Sequence, residues 1–177
     1  MKRWSIYIIS LFFFPALNTA GQTAVIERLK KNIVQAASGP EKLRAILSLC
    51  EQGYTLHSDT LMLYAEKAKQ LAINQRNLHD EVEAMYYYSC ALTNKGQIDS
   101  SLNVANRCLE NLAGVVNDPV LQAKLLNQKG RCYMRKNQYR DAIDMGYHVI
   151  SGAEKSRDTL LQMMGKTLIG WAYLEMG

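Results

Sequence analysis

The chain is predicted to be all-α, a solenoid of antiparallel helical hairpins, and three observations carry that expectation. From Val25 onward, apolar residues recur at helical spacing in segment after segment, with no strict alternation to mark strands. The gaps between segments are short, so neighbouring helices should run antiparallel as hairpins. The pattern also repeats: Leu49, Ser89, Gly130 and Gly170 are separated by 40, 41 and 40 residues, and the large and small positions around them move in step.

Residues 1–21 read as a cleaved export leader. Lys2 and Arg3 precede an apolar run from Trp4 to Leu17, and small residues follow at Thr19, Ala20 and Gly21. The run is shorter than a comfortable bilayer span, which leaves a retained membrane anchor as the alternative. Residues 22–39 form an N-terminal helix, with Val25, Ile26, Leu29, Ile33 and Val34 on one face and a stop at Ser38-Gly39-Pro40. Residues 40–177 are the repeats, at about 40–78, 79–118, 119–157 and an incomplete 158–177.

Within them a second helix runs to about Tyr54. A third follows the capping candidates Ser58 and Asp59, with Leu61, Ala65, Ala68, Leu71 and Ala72 in one stripe and an end near Asn74. A fourth covers about Asp80 to Thr93 and a fifth Ile98 to Leu112. The sixth opens at Asp118-Pro119, an acid at the cap followed by proline in the first turn. The seventh carries Tyr139, Ala142, Ile143, Gly146, Val149, Ile150 and Ala153 on a single face, and an eighth begins near Asp158.

Composition narrows the function. With 48% hydrophobic residues and three prolines in 177, the chain can bury a core and does not read as disordered. Removing the leader takes away all three phenylalanines and two basic residues. Nineteen basic and sixteen acidic side chains remain, a charge of +3. They are interspersed, so no basic stripe marks a nucleic-acid partner. Cys50, Cys90, Cys108 and Cys132 show no C-x-x-C spacing, and with His57, His79 and His148 the only histidines, no metal site is expected. Four thiols packed as small apolar groups is the favoured reading; Cys108 with Cys132 is the better-placed pair if a disulfide forms. No nucleophile elbow, phosphate loop or dinucleotide motif occurs, so neither catalysis nor a cofactor is expected.

The third copy, Gly130-x-x-Tyr133-x-x-x-Asn137-x-Tyr139-x-x-Ala142, resembles the tetratricopeptide repeat signature. The fourth, Gly170-Trp171-Ala172-Tyr173-Leu174-Glu175-Met176-Gly177, resembles its first helix. The earlier copies depart from it, with Leu49 and Ser89 at the helix-packing glycine and Gln52 at the large aromatic; the resemblance covers about residues 41–177. It implies a non-enzymatic scaffold whose first helices line a concave groove for a protein or peptide. Exported arrays of this type resemble the sensory N-terminal parts of bacterial signalling proteins, histidine kinases or transcriptional regulators among them. Such a part of a longer chain is the alternative to a periplasmic or cell-envelope scaffold.

Carried onto this register, the groove would be lined by Glu83, Tyr86, Tyr87 and Cys90, then Lys124, Asn127, Gln128, Arg131 and Arg135, then Trp171. Three consecutive aromatics, Tyr86 to Tyr88, cannot all face one core, so at least one should be partly exposed. Lys124, Arg131 and Arg135 fall on one helix face, able to hold a carboxylate or an acidic peptide, though a solvated face is the blander reading.

Overall fold

The computed structural model of the chain describes residues 22–115 and 118–177, without the side chains of residues 114 and 115. The expected leader over residues 1–21 lies outside the described residues. Among those described, eight helices and no strand occur. They are α1 (residues 22–35), α2 (Gly39–Glu51), α3 (Ser58–Asn74), α4 (Leu78–Asn94), α5 (Ile98–Val115), α6 (Pro119–Arg135), α7 (Tyr139–Ser156) and α8 (Thr159–Met176).

The helix starts are written in capping side chains. Ser38, Asn77, Asp118 and Asp158 each accept a backbone N–H from the first turn of the helix that follows. Each occupies one of the donors a helix start leaves orphaned. They recur every 39 to 41 residues and open α2, α4, α6 and α8. Pro40 and Pro119 sit in first turns, where a missing N–H costs nothing. The Gly39-Pro40 pair expected to stop the first helix therefore begins the second. α3 is also capped one residue earlier than Ser58, by the ring Nδ1 of His57, which accepts from the Asp59 N–H at 3.4 Å.

The turns after α3, α4, α6 and α7 share one construction. A single residue adopts the left-handed conformation, Arg76, Gly96, Asn137 and Arg157 in turn. The next N–H then reaches back into the helix: Asn77 to the Ala72 carbonyl, Gln97 to Leu92, Gln138 to Tyr133, Asp158 to Ala153. Such tight closures turn the chain sharply enough to lay each helix antiparallel to the one before.

Consecutive helices from α2 to α8 pack side by side. In addition α2 touches α4, α4 touches α6 and α6 touches α8, whereas α3, α5 and α7 do not touch one another. The even-numbered helices are the inner row of a curved α-solenoid and the odd-numbered ones its outer row. Repeat-equivalent ion pairs cross the outside, from Lys95 to Asp59 and from Lys136 to Asp99.

The core follows the expected stripes. Leu61, Ala65, Ala68 and Ala72 of α3 are buried, as are Ala142, Ile143, Gly146, Val149 and Ala153 of α7. Each fully buried leucine or valine contributes roughly 1.5–3 kcal/mol through the apolar surface it removes from water. Val34 departs from its expected face and is 85% exposed, because it lies about a quarter turn round α1 from buried Ile33. Glycines permit the closest approach. A Cβ at Gly165 would meet the Gly146 carbonyl at 2.9 Å, so the α7–α8 crossing needs both residues small.

Candidate functional site

The inner row encloses two adjoining clefts that share Tyr54, Arg131 and Met164 and together form one groove. The larger, about 480 Å³, lies between α6 and α8. The smaller, about 150 Å³, runs past the end of α2 and the middle of α4 to the start of α8. The repeat period explains which side chains arrive there. One residue beyond each repeat mark stand Cys50, Cys90, Arg131 and Trp171, and all four line the groove. Five residues beyond stand Tyr54, Asn94 and Arg135, which line it too. On α4 and α6 the four-residue offset keeps Cys90 with Asn94 and Arg131 with Arg135 on one helix face, while Tyr54 stands in the turn after α2.

Of the ten residues expected in the groove, eight are there: Tyr86, Tyr87, Cys90, Lys124, Asn127, Arg131, Arg135 and Trp171. Their exposure differs from the expectation. Tyr86 and Tyr87 are only 8% and 6% exposed, packed edge to face with ring centroids 5.0 Å apart; Tyr88 is the half-buried member of the triplet. Asn127 and Cys90 are likewise buried, so these side chains form the floor. Arg135 and Trp171 are the exposed walls.

Gln128 is a correction. It is buried, not in the groove, and its amide is the centre of a polar knot joining three helices. The two hydrogens on its Nε2 are shared among the Ser89 carbonyl at 3.1 Å, Thr93 Oγ1 at 2.7 Å and Ser101 Oγ at 3.1 Å. Its Oε1 accepts from Cys90 Sγ and from Arg131 Nη1. Ser101 donates in turn to the Ser89 carbonyl at 2.8 Å. A buried amide with every partner made fixes register instead of recognising a ligand.

Glu83 is the second correction. It stands off the groove, half-buried, where burial pushes its carboxyl up against the opposing charges of Lys124 and His79 and a hydrogen bond from the Tyr87 hydroxyl. Its neighbour His79 lies 3.1 Å by Nδ1 from Asp80 and 2.8 Å by Nε2 from Asp118, the cap of α6. Burial pulls the His79 imidazole down, but the hydrogen bonds to Asp118 and Asp80, with the charges of Asp118 and Glu83, outweigh it and leave the pKa raised. Burial pushes Asp118 up, but His79 and the N–H groups of Leu121 and Val120 outweigh that and hold it low. The arrangement suits an imidazolium clamped between the starts of α4 and α6. His79, Asp80 and Glu83 also offer atoms within 4.8 Å of one another, a grouping that sequence spacing by itself did not suggest.

All four cysteines are free and buried. Burial pushes Cys50, Cys90 and Cys108 up to about 12, 11 and 12, which keeps those thiols protonated and unreactive. Cys132 packs on Ser101, at 3.4 Å, and not on Cys108. Those two α5 positions are seven residues apart, about 10 Å along a helix.

The groove residues missed by sequence reading include most of those on α8. Leu160, Met163 and Thr167 join the expected Trp171 in one exposed stripe along its groove side. Their spacing of 3, 4 and 4 up to Trp171 puts all four on one face of the helix, but the expectation carried only Trp171. Among the described residues, no helix is long and apolar enough to cross a membrane. In comparisons with known proteins, no protein-family model matches the chain and no curated protein matches it.

Proposed function

We propose that this protein is a non-enzymatic binding module of tetratricopeptide-like hairpins, exported to the cell envelope, that holds a peptide or a protein segment in its inner groove. The observation that carries the reading is the convergence of equivalent repeat positions on one surface: Cys50, Cys90, Arg131 and Trp171 reach it from four successive inner helices. A groove assembled in this way is continuous and open along the stack, a shape suited to an extended or helical segment. Export rests on the Lys2-Arg3 start, the apolar run and the small residues of the leader.

The test is selection of binders from a random peptide library on the full chain, followed by affinity measurement on variants. Met163→Glu and Trp171→Ala alter exposed groove side chains, and Leu63→Glu alters an exposed residue on the outer row. Selected peptides should lose affinity for the groove variants and keep it for Leu63→Glu. Binding that ignores the groove variants, or that depends on Leu63, sinks the reading.

A further inference from the structure

Resting on the groove reading, we infer that the occupant is a peptide segment in which side-chain carboxylates flank an aliphatic or aromatic residue. The two walls of the larger cleft differ in chemistry. The α6 wall presents Arg131 and Arg135, and among the described residues no carboxylate lines this cleft. The α8 wall presents Met163, Met164, Leu168 and Trp171.

Neither guanidinium is neutralised from within. Among the described residues, Arg131 Nη1 and Nη2 donate only to the amide oxygens of Gln128 and Asn94, at 3.2 and 3.4 Å, and Arg135 has no carboxylate within 4 Å. Arg131 is thus held in place by neutral acceptors while its charge remains available. A guanidinium so oriented favours a carboxylate, which it can engage through two parallel hydrogen bonds. Lys124, two turns earlier on α6, extends the positive wall into the smaller cleft. Glu51 and Asp158 sit in that smaller cleft, so the field is most positive at the Arg135 end and an acidic residue should be placed there.

The apolar wall sets the rest of the ligand. Thioethers of Met163 and Met164 adapt to side chains of differing shape, and the Trp171 indole, 58% exposed, offers a flat surface whose burial would reward a large apolar residue. A cleft of about 480 Å³ accepts one or two such side chains.

Three short labelled peptides test this on the full chain by fluorescence anisotropy. One has a Leu-Phe centre flanked by Glu and Asp, one has Gln and Asn in those places, and one has Lys and Arg. The acidic peptide should bind at least about tenfold tighter than the amide peptide, with a preference that shrinks as salt rises. Arg135→Glu should remove the preference, and Arg140→Glu, the same charge change on exposed α7, should leave it. Equal binding of acidic and amide peptides, both lost in Trp171→Ala, overturns the inference and leaves the groove reading standing. Equal weakening by Arg135→Glu and Arg140→Glu overturns it as mere net-charge attraction. Preference for the basic peptide also overturns it, and no binding of any peptide overturns the inference and counts against the groove.

Discussion

Leu168 of α8 rests so closely on Gly130 of α6 that a Cβ at position 130 would lie 2.2 Å from Leu168 Cδ2. One repeat earlier, Gln128 reaches Ser89 in the same relation. A large residue two places before one repeat mark thus lands on the small residue at the mark before it. Gly170 occupies the next mark and has nothing within 4 Å. Gly130→Ala should therefore cost about 1–2 kcal/mol, overpacking outweighing the gain in helix propensity. Gly170→Ala, free of that clash, should stabilise by about 0.5–1 kcal/mol. Urea unfolding of the two variants should show opposite signs.

Gln128 holds α4, α5 and α6 in one register. Gln128→Ala removes the amide that Thr93, Ser101 and the Ser89 carbonyl share, leaves a cavity in a buried site and should cost about 2–3 kcal/mol. In a double-mutant cycle with Ser101→Ala, the two changes should couple by about 0.5–3 kcal/mol, since they share partners. Strict additivity in chemical denaturation would show that the knot does not act as a unit.

His79 makes the α4–α6 junction sensitive to pH. Its folded-state pKa is raised, so the stability it contributes is fully present below about pH 6.5, the ordinary histidine value, and is lost as pH rises through the folded pKa. Asp118 is lowered, so its share is lost as pH falls through its own folded value. The ion pair therefore persists between those two limits. Asp118→Asn keeps a competent helix cap and removes the charge, and should lower the His79 pKa in an NMR titration. An unchanged pKa would mean that Asp80 and Glu83 suffice.

The left-handed turn residues should respond oppositely to glycine exchange. Gly96, at φ 77°, suits its position, and Gly96→Ala should cost about 1 kcal/mol. Arg157, at φ 56°, carries a Cβ into the same region, and Arg157→Gly should stabilise by up to about 1 kcal/mol. Thermal melts of the two variants, moving in opposite directions, would verify the strain.

Much of the fold was legible because helix signals are local. Asp118-Pro119 marks a helix start from two residues, and the α7 stripe from Tyr139 to Ala153 needs only the helical period. The site was half legible. The repeat register located Cys90, Arg131 and Trp171 on a common surface, but Gln128 looked equally suited to that surface until Thr93 and Ser101 closed over it. Tyr86, Tyr87 and Tyr88 span more than half of the α4 circumference, and neighbouring helices chose which two turned inward.

By itself, then, the sequence determined the helices and the starts of α6 and α8, since each depends on interactions within a few residues, and it carried the forty-residue period. The tertiary structure decided that α2, α4, α6 and α8 form the inner row and that Cys132 meets Ser101 instead of Cys108. It also decided that Leu160, Met163 and Thr167 join Trp171 in facing the groove. Those outcomes depend on how side chains some forty residues apart fill the space between helices, and in a close-packed interior that is settled by all the neighbours at once.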